Sequence, residues 1–121
     1  MDGKLYELTE AGIFGGVTEL RRRLDAEEAG TSSTDLRLLR VLEISSQLGD
    51  VTESVKDVLS ADPGAGASAW SDVETAVVDV VVAALVALDT FTPDGRKIIT
   101  EKLRRLLLAD GGRSIPVSAL T

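Results

Sequence analysis

From Ala76 to Leu88 every residue except Asp79 is apolar, and this run constrains the chain more than anything else in it. Its length exceeds that of an ordinary strand, and Ala83, Ala84 and Ala87 favour a helix. A helix apolar on most of its circumference has to be covered from several sides. The run is too short for the ~20 residues that span a bilayer, and Asp79 interrupts it. It therefore predicts a central helix inside a helical bundle.

Three further segments carry the helical period. Ile13, Phe14, Val17, Leu20 and Leu24 recur at three- and four-residue steps, with Arg21, Arg22 and Arg23 read as a solvated face. Gly12, Gly15 and Gly16 weaken the start of this helix, and Gly30 marks its end. Thr31 to Thr34 offers N-caps for a second helix from about Asp35 to Leu59, whose stripe is Leu38, Leu42, Leu48, Val51, Val55, Val58 and Leu59. Ala61 to Ala69 reads as a loop punctuated by Pro63, Gly64 and Gly66. The third helix is expected from about Trp70, with Ser71 and Glu74 as a capping box and Trp70 as a hydrophobic staple. Thr92 and Pro93 are expected to cap and open a fourth, with stripe Ile98, Ile99, Leu103, Leu106 and Leu107, ended by Gly111–Gly112. Arg104 and Arg105 are expected to pair with acids of a neighbouring element, and Ser114 to Thr121 forms a tail.

These elements fill 121 residues with one all-α domain of four helices. Aromatics are only 3% of the chain, which fits helix packing better than a sandwich. Three amphipathic neighbours from so short a chain cover the third helix poorly, so a homo-oligomer, dimer or tetramer, is expected to complete the bundle.

Composition removes many chemistries. With no Cys there is no disulfide or thiolate centre, and with no His there is no imidazole base or His-held metal. Acid–base or metal chemistry must come from carboxylates. A net charge of −7 argues against a nucleic-acid partner, which would need cationic surface. No basic-then-apolar leader and no spanning segment is apparent, so the expected setting is the cytoplasm and not a membrane.

The second and third helices carry a fuller pattern. Arg40 to Val51 reads RVLEISSQLGDV, Trp70 to Val82 reads WSDVETAVVDVVV, and Leu88 to Asp94 reads LDTFTPD. Over roughly Leu36 to Leu107 this resembles the MazG-like all-α nucleotide pyrophosphohydrolases. That family sets Glu-Glu-x-x-Glu on one helix and Glu-x-x-Asp on the next, and together these hold Mg²⁺ against nucleotide phosphates. Matched residue by residue, Ser46 and Gln47 stand where the paired glutamates would be and Asp50 stands for the third. Ala76 replaces the second motif's Glu, while Asp79 keeps its Asp. The loop that carries cations in close relatives is here Pro63–Gly64–Ala65–Gly66, without charge. The resemblance thus implies a MazG-like bundle whose core is about residues 36–107, with a dismantled metal site.

Three functions follow. The first is a ligand- or partner-binding module that has lost metal-dependent hydrolysis. In the second, a repurposed isomerase or cyclase uses Asp79 or Asp50 for acid–base work in a neutral pocket, with Glu43, Ser46, Gln47, Ala76 and Trp70 around a small-molecule ligand. The third is a Mg²⁺-dependent pyrophosphohydrolase with a reduced site on Asp50 and Asp79, assisted by Glu43 or Asp72. No cofactor is expected for the first two; Mg²⁺ is the ion the third would take. For Glu43 and Asp72 the plain reading is a solvated helix face and a helix-start acid. Asp79, set in the apolar run, is expected to be buried, either in a structural hydrogen bond or as a working residue.

Overall fold

A computed structural model describes residues 12–60 and 66–109. Four helices account for nearly all of them: α1 (Ile13–Glu27), α2 (Ser33–Ser60), α3 (Gly66–Phe91) and α4 (Gly95–Leu108), with no strand among the described residues. The all-α class stands. Pro63–Gly64, the Gly111–Gly112 stop and the tail from Ser114 lie outside the described residues.

Local signals explain most boundaries. Past α1, Gly30 takes φ +93°, a conformation that side chains with a Cβ disfavour. Ser32 then caps α2, its Oγ accepting the Asp35 N–H at 3.2 Å. Two boundaries differ from expectation. The helix α3 begins at Gly66, so Gly66 to Ala69 belongs to it and not to a loop. The capping box at Ser71 and Glu74 is not formed, because Ser71 lies inside the helix, where its carbonyl accepts the Thr75 hydroxyl at 3.2 Å. Small residues such as Ala67 and Ala69 show no apolar period, yet alanine extends a helix at little entropic cost.

At its far end α3 turns sharply into α4, the two axes differing by 116°. Thr92 accepts the Asp94 N–H on its hydroxyl at 3.1 Å within the connecting turn, and α4 starts at Gly95 with no side-chain cap. Pro93 thus sits in the turn, not at the first helical position. Gly95 is buried, and a Cβ there would come within 3.1 Å of Leu88 Cγ and Cδ2. The missing side chain lets the chain turn this closely against α3.

The long helices α2 and α3 pack along each other as a hairpin, and α1 lies against α3. Ion pairs fix the arrangement. Asp25 of α1 accepts from Arg21 at 2.7 Å and from Arg40 of α2 at 2.9 Å, and Arg21 also reaches Asp89 of α3 at 2.6 Å. Residues near the start of α2 and the end of α3 thus meet the same turn of α1, so the hairpin is antiparallel. Arg21 points inward and is not part of a solvated face. Among the described residues the buried apolar set is small: Val17, Val73, Ala76, Val86 and Ala87. Most of α4's stripe is uncovered, with Leu103, Leu106 and Leu107 at 55–60% exposure. Arg104 pairs with Glu101 of its own helix at 2.9 Å, not with a neighbour.

Candidate functional site

A groove of about 490 Å³ opens between α1, α2 and α3. Its floor is apolar, formed by Leu20 and Leu24 of α1, Leu39 of α2, and Val82, Ala83 and Val86 of α3. Helical geometry then dictates the rest. Arg40, Glu43 and Gln47 are three and four residues apart, so they share one face of α2, and Asp79, Ala83 and Val86 do the same on α3. Glu28, at the C-cap of α1, lines the groove too.

Three residues singled out from the sequence meet here: Glu43, Gln47 and Asp79. Gln47 donates to Glu43 Oε1 at 2.8 Å, so these two form one polar unit on α2. Asp79 is not buried. It lies exposed on α3 at the edge of the groove, with no hydrogen bond or ion pair among the described residues. The apolar run around it was the misleading signal, because Val77, Val78 and Val81 beside it are 44–58% exposed as well. Asp50, Ser46 and Trp70 do not line the groove. Asp50 and Ser46 are exposed on α2, and Trp70 is 55% exposed within α3, not a staple. Ala76 is buried and also lies outside the groove's lining.

Arg40 is the residue that sequence reasoning passed over. It is 7% exposed, the one buried charged side chain among the described residues, and it lines the groove. Its Nη2 donates to Asp25, while its buried Nε has no hydrogen-bond partner. An unpaired buried donor carries a desolvation penalty, which the fold bears at this position. The available signal was positional: Arg40 shares the inward face of α2 with Glu43 and Gln47.

The electrostatics are lopsided. Arg40 is offset by Asp25, which leaves Glu28, Glu43 and Asp79 as the uncompensated charges around an apolar floor. Among the described residues no three carboxylates come together in a way that could hold a metal ion. A polyanion would meet repulsion here, whereas a group with a positive charge would meet attraction.

Other hollows are shallower in chemistry. One of about 270 Å³ lies between α1 and the start of α4, where the Arg96 guanidinium sits 5.9 Å from the centre of the Phe14 ring. No family model, curated protein or solved structure matches this chain.

Proposed function

We propose that the protein is a ligand-binding module, built on a MazG-like bundle, that has given up metal-dependent nucleotide hydrolysis. The supporting observation is the groove itself, which joins Glu43, Gln47 and Asp79 to an apolar floor beside the buried Arg40. Its ligand is a small amphipathic molecule: an apolar body and an amine or other donor for Glu28, Glu43 or Asp79. The uncompensated carboxylates disfavour a free triphosphate. Hydrolysis through Mg²⁺ has less support, since Asp50 lies outside the groove and, among the described residues, Glu28, Glu43 and Asp79 do not come together closely enough to hold a metal ion. Acid–base chemistry on a desolvated Asp79 has less support too, because that side chain is exposed.

The test is methyl NMR on the full chain, titrated with a panel of apolar primary amines and, separately, with nucleoside triphosphates plus Mg²⁺. Shifts at Leu24, Leu39 and Val82 with the amines, and no pyrophosphate release with the triphosphates, are the expected result. Pyrophosphate release that disappears in Asp79→Asn would overturn the reading.

A further inference from the structure

The chain's acidic balance conceals a local exception. Five of its thirteen Lys and Arg residues fall within the fourteen residues of α4, against one of its twenty Asp and Glu. The helix is therefore locally +4 in a chain of net charge −7. It is also the most amphipathic of the four helices. At ~100° per residue, Ile99, Leu103, Leu106 and Leu107 fall on one arc of about 100°, with Lys102 at one edge and Arg104 beyond the other.

The rest of the described fold leaves this helix bare. It is anchored at its first turn, where Gly95 is buried against Leu88 and the Arg96 guanidinium lies over the Phe14 ring. From Lys102 to Ala109 every residue is exposed, with Leu103, Leu106, Leu107 and Leu108 at 55–70%. The side chains of Lys97, Lys102 and Arg105 make no ion pair among the described residues, and Arg104 meets only Glu101 of its own helix. A helix of this length is marginal by propensity alone and depends on something packed against its apolar arc. No single described helix is long and apolar enough to cross a membrane, and α4 covers only ~21 Å against the ~30 Å of a bilayer core.

We infer that α4 is a peripheral membrane anchor, lying flat in the headgroup region of an anionic lipid surface with Leu103, Leu106 and Leu107 turned toward the acyl chains. A basic amphipathic helix too short to span binds in this way. Lys102 and Arg104 flank the arc, where their aliphatic stems lie along apolar surface and their charged heads reach lipid phosphates. This departs from the expectation of a chain without a membrane partner, which rested on the lack of a spanning segment. Charge favours lipid over two protein occupants. A second α4 would set cations against cations. An acidic groove in another protein would need carboxylates fixed at several angles, because Lys97, Lys102, Arg104 and Arg105 are spread around the helix, whereas mobile headgroups follow them. No residue lining the ligand groove belongs to α4, so attachment does not occupy that groove.

Flotation of the full chain with two sets of vesicles tests this, one of phosphatidylcholine alone and one that also contains phosphatidylglycerol. Binding to the anionic set is expected to be at least tenfold tighter, and to weaken at least tenfold between about 0.05 and about 0.5 M salt. Leu106→Glu and Lys102→Glu are each expected to weaken it at least tenfold with helicity unchanged, since both side chains are exposed, whereas Leu48→Glu on α2 leaves it within about threefold. Because the chain has no Cys, an environment-sensitive dye on Leu107→Cys supplies a second readout, a blue shift on the anionic vesicles. No binding to anionic vesicles at low salt would overturn the inference, whatever protein covers α4 instead. So would equal binding to both sets, binding that survives both α4 substitutions, or bound protein whose dye does not shift.

Discussion

Arg40 of α2 reaches Asp25 of α1 at 2.9 Å, and the buried guanidinium has no other side-chain partner among the described residues. The same Asp25 holds Arg21, which in turn holds Asp89, while the Thr18 hydroxyl donates to Asp89 at 3.2 Å. This relay fastens α1 to both arms of the hairpin, and α1 forms one wall of the groove. Removing one member of a buried pair leaves the other charge stranded, which costs more than replacing the charge with an apolar group. Asp25→Ala is therefore expected to lower stability by about 2–4 kcal/mol, and Arg40→Leu by less than about 1.5 kcal/mol. Urea midpoints at constant m-value measure both, and equal losses would argue against a stranded charge.

The pH response follows from the same relay. The hydrogen bond to Asp89 raises the Arg21 guanidinium pKa; burial opposes this and Asp25 reinforces it. A raised folded-state pKa stabilises the fold at all pH values below the unfolded pKa, and the effect fades only as pH climbs through the folded value. Both lie above the neutral range by several units. The chain has no His either, so the melting temperature is expected to stay level between about pH 6 and pH 9. A step near pH 6.5 would point to a titrating group that this account lacks.

Two glycines are expected to respond in opposite directions to the same substitution. Gly49 is exposed inside α2, and a Cβ there meets nothing within 4 Å, so Gly49→Ala is expected to add up to about 1 kcal/mol through helix propensity. Gly30 is equally open but sits at φ +93°, so Gly30→Ala is expected to remove about 1 kcal/mol through backbone strain. Thermal melts of the pair, run side by side, separate backbone from packing effects because neither site is crowded.

Filling the groove separates binding from folding. Ala83 lines it and is only partly exposed on α3. Ala83→Phe is expected to abolish the methyl shifts caused by an apolar amine, at least tenfold in affinity, while far-ultraviolet helicity is unchanged. Retained affinity in this variant would place the ligand elsewhere.

The sequence made the four helices legible because their apolar residues repeat with the helical period and because Ser32, Gly30 and Gly95 punctuate them. It placed the start of α3 too late, since an alanine-rich first turn has propensity but no period. Glu43, Gln47 and Asp79, singled out beside the motifs that carry the resemblance, lie together along one groove. Glu28 and Arg40 were not singled out, because their relation to the groove depends on where α1 docks, and a relay such as Arg21–Asp25–Arg40 is a tertiary fact with no local signature. The apolar run on α3 carried a correct message about helix and a wrong one about burial. Apolarity reports a need to be covered, and within one chain that need is not met at Val77, Val78 or Val81.

The wall that α1 gives to the groove is fastened to the hairpin by charge, through Arg21 and Arg40. Salt therefore acts on the width of the groove as well as on the stability of the fold: screening these partly exposed pairs loosens that wall while the two long helices stay side by side.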